Sequence, residues 1–253
     1  MKKRAAQQQL IREILRILYG RWGRQHWWPA ETPFEVIVGA YLTQNTAWTN
    51  VEKALQQMRS AGVLSVEGIR KIPLTRLEKL VRSAGYFRQK ATRLKQFVAF
   101  LDERYQGSLQ KMFAQPTAEL REELLALNGI GPETADSILL YAGQHPVFVV
   151  DSYTRRIFER HGLVKPSAKY EELRELVETG LADFALSHPD IIDPELLPLG
   201  SCHQPSPMST ASRCAQAQVF NEMHGLLVGV GKNYCLKSNP KCNECPLGSL
   251  LKK

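Results

Sequence analysis

Apolar residues recur three or four positions apart through most of this chain, as in Leu10, Ile14, Leu15 and Leu18, and again in Val36, Ile37, Ala40, Tyr41 and Leu42. That spacing lays one apolar stripe along a helix and is incompatible with the two-residue period of a strand. Only Val147-Phe148-Val149-Val150 reads as strand-like. Four residues flanked by no partner run predict a buried extended connection rather than a sheet. The expected fold class is therefore all-α, with around ten short helices. A chain of 253 residues is long enough for one large domain or two lobes, each with its own core.

Breaks in the helical pattern fall at Trp28-Pro29-Ala30-Glu31-Thr32-Pro33, Tyr105-Gln106-Gly107-Ser108 and Gly143-Gln144-His145-Pro146. A longer stretch from Ser187 to Ser212, rich in Pro, Ser and Gly, predicts a loop. No internal repeat stands out.

Lys and Arg number 33 against 25 Asp and Glu, a net charge of +8. Such a surface draws a polyanion such as nucleic acid, although basic balance alone does not identify one. No apolar run approaches the roughly 20 residues of a membrane span, and the basic start lacks the apolar stretch of a signal peptide. An intracellular, cytoplasmic and nucleoid-associated protein is the expectation. Three of the five cysteines crowd the last 19 residues, which suits metal ligation better than a disulfide framework.

The segment with the clearest chemistry runs from Glu122 to Ala142. Glu122 to Leu127 ends one helix, Asn128-Gly129-Ile130-Gly131 makes a tight turn, and Pro132 opens a second helix. The two glycines permit backbone angles that side chains forbid and let a phosphate approach the amides. The second helix adds its dipole and free N–H groups. An ordinary helix turn would look similar, but the full phrase Leu127-Asn128-Gly129-Ile130-Gly131-Pro132-Glu133-Thr134-Ala135-Asp136 resembles the DNA-binding hairpin of the helix-hairpin-helix (HhH-GPD) glycosylases, the superfamily of endonuclease III. The resemblance implies a two-lobed fold, with a six-helix barrel at about 31–132. A second lobe would combine 1–30 with 133–253, and the groove for DNA and base would lie between the two.

In that superfamily the hairpin leads through a Gly/Pro connection to a catalytic Asp, and Asp151 stands at the matching place. Locally, Asp151 follows an apolar run and precedes a helical pattern, so it is also a natural helix N-cap. Strand-cleaving members resemble one another in a Lys two residues after the second hairpin glycine. This chain has Glu133 there. A carboxylate cannot form a Schiff base with the sugar, so little or no lyase activity is expected. Glu133 also suits the first turn of a helix on electrostatic grounds alone.

Trp27 and Trp28 beside Pro29 would make a flat aromatic surface able to stack on a flipped base, an alkylated and hence cationic purine above all. Core aromatics would read the same way. Trp28-Pro29, the phrase Leu42-Thr43-Gln44-Asn45-Thr46 and Glu133 together resemble the bacterial 3-methyladenine DNA glycosylase branch. The resemblance places Trp27, Trp28, Pro29, Asn45 and Glu133 at the base pocket. It makes Gln44 the wedge that fills the gap left by the flipped base, and Tyr86, in Gly85-Tyr86-Phe87, the residue on the second strand-contacting loop. A plain turn between helices would explain Tyr86 equally. Gly129, Gly131, Thr134 and Arg155 complete the expected DNA contacts.

The expected activity is monofunctional removal of a damaged, 3-methyladenine-like base from double-stranded DNA by a monomer. The alternatives are a glycosylase for a deaminated or mismatched pyrimidine and a non-catalytic damage sensor. The C-terminus resembles endonuclease III again, where four Cys spaced six, two and five residues apart hold a [4Fe-4S] cluster. Cys235, Cys242 and Cys245 keep the first two gaps, but the fourth position is Leu251. Three readings stay open: a cluster with another fourth ligand, a cluster completed by Cys202 or Cys214, and a degenerate or zinc site. A helix between Cys214 and Cys235 would hold them about 30 Å apart.

Overall fold

The computed structural model describes residues 2–184 and 203–251. Within them the chain is all-helical, and Val147 to Val150 is an extended, buried connection without strand pairing. Its backbone donors are met by side chains: Phe148 N donates to Glu178 Oε1 at 2.9 Å and Val150 N to the Tyr170 hydroxyl at 3.3 Å. Thirteen α-helical segments appear among the described residues. They outnumber the ten expected because pieces as short as Val66–Lys71 and Pro207–Thr210 carry too little sequence to show a period. No described helix is long and apolar enough to cross a membrane.

The chain divides into two compact units, Ala30–Gly143 and Met1–Pro29 with Gln144–Lys253. In the first, α2 (Pro33–Leu42) is the central helix, buried from Phe34 to Leu42. Thr32 starts it, its side chain accepting from Glu35 N, and Pro33 supplies a ready-made first-turn φ. Around it lie α3 (Trp48–Ser60), α4 (Val66–Lys71), α5 (Leu74–Leu80), α6 (Phe87–Tyr105), α7 (Leu109–Phe113), α8 (Thr117–Leu125) and α9 (Pro132–Ser137). Helix α3 buries Val51, Ala54, Leu55 and Met58, the three-and-four spacing of one face. Helix α9 continues as a π-helical stretch, Ile138–Ala142, which packs on α2 and so keeps the hairpin's second helix within this unit.

The second unit joins the two ends of the sequence. Helix α1 (Lys2–Trp22) buries Ile11, Ile14, Leu15 and Leu18 and packs on α11 (Tyr170–Gly180). Between them in sequence is α10 (Ser152–Arg160). After α12 (Pro207–Thr210), α13 (Ala215–Asn233) is buried along most of its length and packs on both α10 and α1.

Candidate active site

The hairpin is built from α8, the turn and α9. A buried ion pair ties its two helices: Arg121 on α8 donates through Nε to Asp136 Oδ1 at 2.6 Å and through a terminal nitrogen to Oδ2 at 3.1 Å. Asp136 is fully buried. The two turn glycines do different work. Gly129 has φ +81, and a Cβ there would sit 2.0 Å from Arg93 Nε. Gly131 has an extended backbone at φ −98 that any residue adopts, so the angle argument made for it from sequence does not hold. What Gly131 provides is open space, with nothing within 4 Å of where its Cβ would be.

Gln44, Gly129 and Thr134 come together. Gln44 Nε2 donates to the Gly129 carbonyl at 2.9 Å and to Thr134 Oγ1 at 3.0 Å. Arg93, which the sequence reading missed, donates to Gln44 Oε1 at 3.1 Å. Lys90 was missed as well. Its ammonium is buried and donates to the carbonyls of Leu42, Gln44 and Ala84 at 2.8, 2.9 and 2.7 Å, joining the end of α2 to the turn before Gly85. Burial, with the Arg93 charge second, pushes Lys90 down to about 8, so it stays charged at neutral pH. One residue beyond that turn, Tyr86 is 67% exposed, in the left-handed region at φ 45. Asn45 and Glu133 are also exposed, Glu133 in the first turn of α9.

In the other unit Asp151 caps α10. Its Oδ1 accepts from Thr154 N at 2.7 Å, while Oδ2 takes no part in the cap and lies 3.7 Å from His224 Nε2 on α13. The capping and chemical readings of this residue therefore use different oxygens. Burial holds His224 below its ordinary value, against the pull of Asp151. His224 in turn lies beside Trp27, ring centroids 6.3 Å apart, and Trp27 is tilted against Trp28 at 5.5 Å and His203 at 5.2 Å.

The tryptophans correct the picture of an open stacking surface. Trp27 and Trp28 are 7% and 6% exposed, and Lys232 Nζ stands 5.8 Å over the Trp27 ring. His224 and Lys232 of α13 pack against Trp27, and Pro29 beside the pair is half-buried. The Trp27 indole N–H is buried without a hydrogen-bond acceptor. Arg155 donates to the Ala168 carbonyl at 2.6 Å, with Glu159 at 3.8 Å.

Cys235, Cys242, Cys245, Leu251, Tyr234, Arg160 and His161 line one small cavity of about 20 Å³. Arg160 donates to Cys235 Sγ at 3.2 Å, and burial with the neighbouring Cys235 and Cys242 pushes the Cys245 thiol up. Cys214 is exposed at the far end of α13 from this cavity, which removes it as the missing ligand, and Cys202 lies outside the described residues. Among the described residues no three His, Cys, Asp or Glu side chains meet around a single ion.

The sequence matches the HhH-GPD superfamily of base excision DNA repair proteins over residues 38–182. It is 38% identical over 241 residues to a Methanocaldococcus jannaschii protein classed as a candidate DNA repair glycosylase, covering 94% of each chain. The chain belongs to this superfamily. Endonuclease III of Thermotoga maritima is 27% identical, over 93% of this chain and 89% of the relative. Among solved structures, the 3-methyladenine DNA glycosylase of H. pylori bound to 1,N6-ethenoadenine aligns with a TM-score of 0.70 at 27% identity, covering 89% of this chain and 97% of that one. A trapped endonuclease III–DNA covalent intermediate aligns at 0.70 with 21% identity, covering 97% and 95%, and shows the shared superfamily fold.

Proposed function

We propose that this protein is a monofunctional DNA glycosylase that removes an alkylated purine, of the 3-methyladenine kind, from double-stranded DNA. The observation that carries the reading is Asp151: one carboxylate oxygen is spent on the helix cap and the other is left for chemistry. In the proposed reaction the C1′–N bond of the flipped nucleotide breaks and the base departs with the bonding electron pair. Asp151 Oδ2 stabilises the cationic sugar and takes a proton from the water whose oxygen bonds C1′. An alkylated purine already carries positive charge and leaves as a neutral base, so this chemistry needs no acid at the leaving group.

The hairpin turn at Gly129 and Gly131 would hold the backbone, with Gln44 as wedge and Tyr86 on the opposite strand. In the structure Gln44 is parked on the hairpin, so DNA entry exchanges its bonds to Gly129 and Thr134 for bonds to the widowed base. In this reading Trp27, Trp28 and Pro29 form a buried wall beside the base rather than an open stacking face, with the Trp27 N–H lacking an acceptor, and Asn45 and Glu133 are further base-contacting residues. Glu133 in place of an amine supports hydrolysis without strand cleavage. The cysteine tail would hold a [4Fe-4S] cluster, a structural group that takes no part in hydrolysis.

A panel of duplexes, each with one defined lesion, tests the reading when wild type and Asp151→Asn are scored for released base. Release of methylated adenine by wild type alone is expected. Equal binding with no release by either protein would overturn it, and preferential release of a deaminated or mismatched pyrimidine would overturn the substrate class.

A further inference from the structure

We propose that His161 supplies the fourth ligand of the iron–sulfur site, in place of the cysteine that Leu251 replaces. His161 follows the last turn of α10 and is 6% exposed. It lines the same cavity as Cys235, Cys242, Cys245 and Leu251. Its Nδ1 is buried with no hydrogen-bond partner, while the imidazole is hydrogen-bonded to the Leu250 backbone. Ligating histidines are held in this way: one ring nitrogen donates to a carbonyl, which fixes the tautomer and leaves the lone pair on the other. The bond is made by the residue next to Leu251, so the segment that lost the thiolate orients its replacement.

The donor arrangement favours a cluster over one zinc ion. The six- and two-residue gaps of Cys235, Cys242 and Cys245 are those of the endonuclease III cluster tail, whereas one zinc ion would need its donors to converge on a single point at Zn–S bonds of about 2.3 Å. A cubane offers each ligand its own iron, so its donors stand apart around a larger body. Arg160, donating to Cys235 Sγ, is the kind of hydrogen bond that tunes such a cluster. Three thiolates and a neutral imidazole also carry one negative charge fewer than four thiolates, which raises the reduction potential.

The test uses the full chain labelled with ¹⁵N-histidine, reconstituted anaerobically with ferrous iron and inorganic sulfide. Iron is counted, and the reduced protein is measured by pulsed electron paramagnetic resonance. The expected result is about four irons per chain with the coupling of a directly bound imidazole nitrogen. His161→Ala should lose that coupling and bind about one iron fewer, or none. Because that variant can also fail by misfolding, Leu251→Cys is added in the same background. It should restore four irons without nitrogen coupling and with a lower potential than wild type. A wild-type cluster lacking nitrogen coupling, no cluster at all, or a His161→Ala cluster identical to wild type would overturn the proposal. None of these readouts depends on base release, so the assignment of His161 and the glycosylase reading fail separately.

Discussion

The two units treat their buried polar groups in opposite ways. In Ala30–Gly143 the interior polar side chains are paired: Asp136 with Arg121, Lys90 with three carbonyls, Gln44 with Gly129, Thr134 and Arg93. Trp27 Nε1, Thr154 Oγ1 and His161 Nδ1, buried without a hydrogen-bond partner, all belong to the other unit. Folding alone selects against such groups, since each forgoes a hydrogen bond worth about 1–3 kcal/mol in desolvation. A unit that tolerates several of them is arranged for something other than its own stability. The hairpin unit is thus internally paired, while the other unit keeps buried groups without partners.

The comparison breaks first at the carboxylates. Asp151→Asn should lower base release by on the order of 10²- to 10⁴-fold, measured in single turnover. It should leave thermal stability nearly unchanged, because Asn caps a helix as well as Asp. Asp136→Asn should do the reverse. It leaves the Arg121 charge buried without its counterion, and denaturant unfolding should show a loss of about 3–5 kcal/mol.

Lys90→Met comes next, stranding three carbonyls at a cost of about 3 kcal/mol. The pH dependence gives a second check. Lys90 releases its proton near 8 in the folded protein and near its ordinary 10.5 when unfolded. Between those values the unfolded chain binds the extra proton, so stability rises with pH across that window. Urea titrations at pH 8 and pH 10 should show this rise in wild type and a flatter profile in Lys90→Met.

The smallest effects give the sharpest contrast. Thr134 and Thr154 are both buried and both third in their helices, α9 and α10. Thr134 Oγ1 accepts from Gln44, and Thr154 Oγ1 has no partner. Thr134→Val should cost about 1 kcal/mol, whereas Thr154→Val should be neutral or stabilising by a similar amount. Equal losses in calorimetry would remove the distinction drawn between the units.

What was legible in the sequence was local. The period of three and four gave the helices, Pro132 and the turn glycines gave the hairpin, and an apolar run followed by Asp gave the capped helix at Asp151. What escaped was assembled over long distances. Lys90 sits in the polar string Arg88-Gln89-Lys90, and only the fold brings the carbonyls of residues 42, 44 and 84 around it. Arg93, His224 and His161 likewise acquire their places through contacts that no short phrase encodes. The burial of the Trp pair escaped for the same reason, since adjacency to proline suggests an exposed edge while His224 and Lys232, far along the chain, pack against Trp27.

The central claim is base removal without an amine nucleophile, and borohydride trapping tests it most directly. Wild type is incubated with the duplex lesion it excises best, in the presence of borohydride, and the products are resolved on a denaturing gel. The account predicts free base and no protein–DNA adduct, and, in a parallel reaction without borohydride, an abasic strand that stays intact until treated with alkali. A covalent adduct formed at the rate of base release would contradict it, because it would show that a lysine elsewhere in the chain does what Glu133 cannot.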